Sequence, residues 1–287
     1  MNTNEVKIGC HVSISKSIDL AIDRALKINC NTFQIFTKNP RGWAAKTLKD
    51  EEIQNFKVKI KQYQLDPIFG HISYLPNLAS TDPEVSKKSL ESFLNEVSRC
   101  VTLEIPYFVI HGGSYRSSNF KNGMNKYIDS ILNGISYAER KVVILVENSS
   151  GGANSLTGSH QNIGKILEEI NDKTAIQVCY DTCHAFASGY DLRTKRSVEN
   201  TLKDIQTNFG VDSIALIHAN DSIGKLNSSS DRHQHLGLGE IGEKGFSAMI
   251  NNSKLKSKPW ILETPVDEIR GDIQNILYLR SLIIKEN

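Results

Sequence analysis

The chain has 287 residues, 39% of them hydrophobic and 23% charged, enough to bury a sizeable core as one large domain or two ordinary ones. A formal net charge of +2 excludes a global basic field of the kind that advertises nucleic acid. No apolar run approaches the roughly 18 residues of a membrane span, and the polar start from Met1 to Lys7 is unlike a signal peptide, so an intracellular, cytoplasmic protein is expected.

Apolar, β-rich runs alternate with amphipathic stretches from end to end. The pattern predicts strands at 6–12, 32–37, 67–72, 106–111, 141–147, 176–181, 213–219 and 259–264. Helices are predicted at 17–29, 49–64, 83–102, 121–138, 160–171, 195–208, 243–252 and 266–284. The third opens with Thr81 or Asp82 as N-cap, Pro83 at the first position and Glu84 in the first turn. Eight strand–helix units without a linker argue for one domain over residues 1–287, an α/β chain closed as a (β/α)8 TIM barrel.

Active sites of such barrels lie at the C-terminal ends of the strands. Here those ends carry His11, Thr37-Lys38, His71, His111, Glu147, Asp181, His218 and Glu263. From His71 onward the steps are 40, 36, 34, 37 and 45 residues, about one strand–helix unit each. Taken singly, His71 reads as a capped core histidine and Glu263 as a partner of Arg270. Six consecutive strands delivering an imidazole or carboxylate to one rim are not coincidence. Converging carboxylates repel, and several metal ions supply the compensating charge most simply.

Two further stretches feed the rim. Asp181 ends its strand with His184 three residues on, a pair that is either hydrogen-bonded or metal-ligating. Asp231 and His233 alternate onto one side of an extended segment and can share an ion with His184. Five histidines (71, 111, 184, 218, 233) and four acids (Glu147, Asp181, Asp231, Glu263) suffice for two or three ions. Nitrogen and oxygen donors suit zinc in a hydrolytic site, with manganese or iron also open. Cys179 and Cys183 read as small hydrophobes, and all five cysteines as buried free thiols in a reducing compartment. His160 is expected on the surface at a helix start, His235 as a positioning group, and His11 on the rim without a partner. Lys38, Arg41, Lys46 and Lys49 form one basic group and Arg193, Lys195 and Arg196 another, each read as following directly on a strand end. The loop from Ser149 to Gly158 reads as a flexible connection and not a phosphate cradle, since no helix start follows its glycines closely.

These residues resemble endonuclease IV, the family-2 apurinic/apyrimidinic (AP) endonucleases of DNA repair. The resemblance covers essentially the whole chain and rests on Gly9-Cys10-His11-Val12-Ser13, Phe36 to Trp43, His71 to Leu75, Val146-Glu147-Asn148, Asp181 to Phe186, His218 to Asp221, Asp231-Arg232-His233 and Leu262-Glu263-Thr264. It implies a TIM barrel with three zinc ions. His71 and His111 would hold the first, Glu147 would bridge it to the second, Asp181, His218 and Glu263 would complete the second, and His184, Asp231 and His233 would hold the third. Glu147, Glu263 and His111 would serve catalysis. The substrate would be the phosphodiester 5′ to an abasic site in duplex DNA, cut to a 3′-hydroxyl and a 5′-deoxyribose phosphate, with 3′-repair phosphodiesterase as a side activity. By the same resemblance Tyr74 and Leu75 wedge into the helix and Arg41 enters the base stack. Gly112 departs from the family's usual proline and is expected to free the loop after the fourth strand. A monomer is expected. The rivals are a divalent-metal sugar isomerase on the same barrel and a silent protein that only recognises damaged DNA.

Overall fold

The computed structural model describes residues 6–116 and 118–284, so Met1 to Glu5 of the polar start lie outside the described residues. Eight parallel strands form one sheet: β1 (Ile8–Cys10), β2 (Phe33–Phe36), β3 (Ile68–His71), β4 (Tyr107–Ile110), β5 (Val143–Glu147), β6 (Ile176–Asp181), β7 (Ile214–His218) and, after a small hairpin, β10 (Trp260–Leu262). Their order, β1-β10-β7-β6-β5-β4-β3-β2, brings the first two strands to opposite edges. A parallel bridge between His11 and Gln34 joins those edges, with Val12 N donating to Gln34 O at 2.9 Å. The (β/α)8 barrel is therefore as expected.

Strands covered on both faces read as near-continuous apolar runs, and Val143 to Val146 and Ile214 to Ile217 are of this kind. Inside the barrel, Phe69, Val109, Leu145, Cys179, Leu216 and Ile261 pack as one fully buried layer. Side chains two apart on a strand share a face. Two residues beyond each of those six stand His71, His111, Glu147, Asp181, His218 and Glu263. The rim is thus the next layer of the barrel's own interior, set where the strands end.

Helices α1 (Leu20–Lys27), α2 (Asp50–Tyr63), α3 (Pro83–Leu103), α4 (Phe120–Tyr137), α5 (His160–Ile170), α7 (Lys195–Asn208), α8 (Gly242–Ile250) and α9 (Asp272–Ser281) alternate with the strands. Asp82 caps α3, accepting from Val85 N at 2.9 Å, with Pro83 at the first position. The last helix begins at Asp272 and not at 266, because Asp267 Oδ1 accepts from Ile269 N at 2.8 Å and Arg270 N at 3.3 Å and holds a turn there. A short helix, α6 (Thr182–Ala187), was not expected, and it separates Arg193 from the end of β6. Nor was the antiparallel hairpin of β8 (Asp221–Ser222) with β9 (His233–Gln234).

Three further expectations are corrected. Helix α5 starts two residues after Gly158, with Ser159 accepting from Asn162 N as its cap, so a helix does follow the glycine-rich loop closely. Gly112 does not free its loop: a Cβ there would come within 1.7 Å of Thr157 Oγ1. The loop is also tied down by Asn77, which accepts from Ser114 N at 2.9 Å and donates to Ser114 O at 2.7 Å. His160 is not a surface residue. It is 1% exposed, 2.6 Å from Asp204 Oδ2 and 3.1 Å from the Tyr180 hydroxyl, with Tyr190 stacked on its ring at 3.6 Å.

Candidate metal centre

A cleft of about 1040 Å³ opens over the C-terminal rim, lined by His11, His71, His111, Glu147, His184, Asp231, His233 and Glu263 among others. The structure brings all nine sequence-nominated ligands together. Single donor atoms of His71, His111 and Glu147 lie within 4.8 Å of one another, as do those of Glu147, Asp181, His218 and Glu263, and those of Asp181, His184 and His233. Asp231 Oδ1 reaches His184 Nε2 at 3.0 Å and His233 Nε2 at 3.4 Å, so the hairpin strand β9 carries its pair to the same rim. Glu147 and Asp181 belong to two groups each, which makes the groups adjoin.

The imidazoles are oriented from behind. His71 Nδ1 is 2.8 Å from Ile72 O, His184 Nδ1 is 2.9 Å from Asn148 O, and His233 Nδ1 is 3.0 Å from Glu263 O. Each of these Nδ1 atoms can only donate to a carbonyl, which turns Nε2 toward the cleft. His233 Nε2 is buried and has no hydrogen-bond partner, an orphaned donor atom that a cation would satisfy. His218 is turned the other way, with Nε2 on Gln34 Oε1 at 2.9 Å. Its Nδ1 faces Glu147 Oε1 at 3.0 Å, Glu263 Oε2 at 3.4 Å and Asp181 Oδ2 at 3.9 Å.

Burial alone would raise Glu147, but hydrogen bonds from His218 and His71 outweigh it and hold the carboxyl well below its usual range. Burial would likewise raise Glu263, which the His218 charge and the His11 hydrogen bond hold low. His184 runs the opposite way: burial lowers it, yet Asp181, Asp231 and Glu147 together lift it to about 10. His111 is lowered to about 4 by burial and then by His71. Glu147 and Glu263 are thus held ionised, and His184 holds a proton that a cation would displace. Such a set of nitrogen and oxygen donors fits several divalent ions.

Other nominated residues fall as follows. Tyr74 is 59% exposed and Leu75 38% exposed, on the lip of the cleft, with the Tyr74 ring parallel to His111 at 6.3 Å. Arg41 is exposed on the neighbouring loop, where Pro40 O accepts from Tyr74 N at 3.1 Å. His235 is fully buried between Asp267 and Asn275, 3.0 Å from each. His11 does have a partner, Glu263 Oε1 at 3.1 Å, whereas Arg270 donates to Leu236 O and not to Glu263. Cys179 sits beside Glu147 and His218, and burial pushes its thiol up to about 12, in keeping with packing. All five cysteines are buried and free.

Sequence reasoning missed three residues. Gln34 Nε2 donates to Glu263 Oε1 at 2.7 Å while its Oε1 holds His218. Asn220 Nδ2 donates to Asp181 Oδ2 at 2.7 Å, and Asn148 Oδ1 accepts from Asp181 N at 2.7 Å. The available signal was a polar amide inside an apolar strand run, which Gln34 in Phe33–Phe36 supplies.

A family model described as a xylose isomerase-like TIM barrel matches residues 22–282. "Probable endonuclease 4" of Nitrosopumilus maritimus is 43% identical over 273 residues, 94% of this chain and 98% of that one. The crystal structure of endonuclease IV from Thermus thermophilus superposes with a TM-score of 0.86 at 30% identity, covering 96% of this chain and 98% of that one. A 3-keto-D-glucoside 4-epimerase from E. coli, at 14% identity and a TM-score of 0.71 over 96% of this chain and all of its own, shares the fold alone. The chain belongs to the endonuclease IV family.

Proposed function

We propose that this protein is a metal-dependent AP endonuclease that hydrolyses the phosphodiester 5′ to an abasic site in duplex DNA, leaving a 3′-hydroxyl and a 5′-deoxyribose phosphate. The observation that carries the reading is the three adjoining donor groups under the exposed Tyr74-Leu75 lip. Zinc is the proposed metal, three ions per chain, with manganese or iron acceptable to the same donors. His71, His111 and Glu147 would hold one; Glu147, Asp181, His218 and Glu263 a second; His184, Asp231 and His233 a third. Bound there, the ions supply Lewis acidity toward the phosphate and lower the pKa of water to near neutrality.

The chain's own residues do the rest. His111, lowered to about 4, offers an unprotonated nitrogen at neutral pH. Glu147 and Glu263, held ionised, are carboxylates fit to bridge and orient, so Glu147, Glu263 and His111 are the proposed catalytic residues. Catalysis of this kind is positioning plus electrostatic stabilisation of developing phosphate charge. Tyr74 and Leu75 would enter the duplex where the base is missing, and Arg41 the base stack; a missing base lowers the cost of extruding the nucleotide. A 3′-repair phosphodiesterase activity would use the same centre.

The test is a labelled duplex with one tetrahydrofuran site, which a lyase cannot cut. Cleavage lost on chelation, restored by zinc and leaving a 3′-hydroxyl is the expected result. A folded, metal-loaded protein that leaves the duplex intact would sink the reading in favour of a silent binder. A sugar isomerase needs no third group of the kind that Asp231 and His233 form, so three tightly held ions per chain speak against that rival and two speak for it.

A further inference from the structure

We propose that the buried Lys38–Glu96 ion pair is a positioning clamp that holds the Arg41 loop and the Tyr74-Leu75 loop as one unit against the damaged duplex. The proposal rests on the DNA-cleaving reading above. Lys38 and Glu96 side chains are 1% and 0% exposed, with Nζ 3.8 Å from Oε1. Neither belongs to the metal-ligand groups.

Every polar atom of the pair has a use. Lys38 Nζ donates to Gly42 O at 2.9 Å and Trp43 O at 3.0 Å, the two carbonyls just after Arg41. Glu96, at 3.8 Å, adds the opposite charge without a third hydrogen bond. Glu96 Oε2 accepts from Ser73 N at 3.0 Å, and Oε1 from Ser73 Oγ at 2.8 Å and Ser92 Oγ at 3.2 Å. Ser73 directly precedes Tyr74. The clamp therefore grips each loop one residue from the side chain that would probe DNA. Three further bonds brace it: Tyr74 N donates to Pro40 O at 3.1 Å, and Arg99, one turn along α3 from Glu96, donates to Thr37 O at 2.7 Å and Lys46 O at 2.8 Å.

A buried ion pair is a poor device for stability, because desolvation offsets its attraction and apolar residues of similar volume often do as well. What this pair does that apolar residues cannot is bind a main-chain amide on one loop and two carbonyls on the other. Wedge and arginine must enter the duplex at a fixed separation, and holding both in advance removes an ordering cost from binding.

The physics separates the clamp from mere support. In the double variant Lys38→Met/Glu96→Leu the core stays filled and no charge is left unpaired, so folding and metal content are expected to persist. The loops lose their anchors, so KM for the tetrahydrofuran duplex should rise about tenfold or more while kcat stays within about threefold. Hydrolysis of bis(4-nitrophenyl) phosphate, which reports the centre without the loops, should not change. Wild-type protein in the same assay separates the two hypotheses: if it fails to cut the duplex, the proposed function falls and not the clamp. If wild type cuts and the folded double variant keeps its KM, the clamp is overturned. It is equally overturned if the variant loses metal or bis(4-nitrophenyl) phosphate turnover, which would make the pair a support of the centre. Should the double variant not fold, Lys38→Met alone is the substitute, since it removes the anchors on Gly42 O and Trp43 O, with the same KM rise expected and an unchanged KM overturning the idea.

Discussion

Gln34 Oε1 stands 2.9 Å from His218 Nε2, and this contact decides which imidazole nitrogen faces the acids. An ionised carboxylate only accepts, so the Gln34 atom 2.7 Å from Glu263 Oε1 must be the amide nitrogen. The carbonyl end is then left for His218, whose Nε2 must donate, and Nδ1 is turned to Glu147, Glu263 and Asp181. Replacing Gln34 with leucine should lower affinity for the ion of that group about 10- to 100-fold, the usual cost of removing an outer partner of a ligand. Competition with a chromophoric zinc chelator measures it, and an unchanged affinity would remove Gln34 from the account.

Glu263→Gln and His111→Ala are expected to abolish cleavage while leaving binding to abasic duplex measurable by fluorescence anisotropy. Both residues stand at the rim, 19% exposed for the Glu263 side chain, and their loss leaves the exposed Tyr74-Leu75 lip intact. Retained turnover in either variant would take that residue out of the mechanism.

Metal binding should release protons at neutral pH. In the metal-free chain burial lowers both imidazoles, yet Asp181, Asp231 and Glu147 lift His184 to about 10, against its usual 6.5, and Cys179, Glu263 and Glu147 raise His218. Ligands must be deprotonated, so affinity rises with pH and falls on acidification. The sign for the metal-free fold is the reverse: the stability His184 gains is fully present below about 6.5 and is lost as pH rises through about 10. Zinc titrations by calorimetry in two buffers of different protonation enthalpy count the protons; equal heats would contradict the shift.

Arg41→Ala should weaken duplex binding and reduce its salt slope by about one, with the metal complement unchanged. Arg41 is exposed and belongs to none of the donor groups. Loss of an ion in this variant, read by elemental analysis, would mean the loop supports the centre.

His160→Ala should cost stability, about 2 kcal/mol or more for a buried imidazole hydrogen-bonded at both nitrogens, and leave cleavage per folded molecule intact. Its partners Asp204 and Tyr180 lie outside the metal centre, between α5, β6 and α7. A denaturant midpoint unchanged from wild type would return His160 to the surface role its sequence position suggested.

The barrel and its rim were legible in the sequence for one reason. Parallel strands buried on both faces write themselves as apolar runs, and a period of two then marks the residue that ends each interior row. His71, His111, Glu147, Asp181, His218 and Glu263 could be named from that alone, and Asp231 with His233 from their own alternation. Short elements were not legible: α6 is six residues long, and the β8–β9 hairpin pairs two residues with two across a loop that leaves no periodicity.

What the sequence determined by itself was therefore which strand ends bear imidazoles and carboxylates, together with the family the motifs announce. Tertiary structure alone decided the partners. It set Gln34 between His218 and Glu263, His11 on Glu263, Lys38 on Glu96 and His160 in the core, joining residues 184, 252, 58 and 44 apart in the case of Gln34–His218, His11–Glu263, Lys38–Glu96 and His160–Asp204. No local pattern encodes such pairs, because a polar side chain's partner is chosen by barrel closure and helix packing and not by its neighbours in the chain.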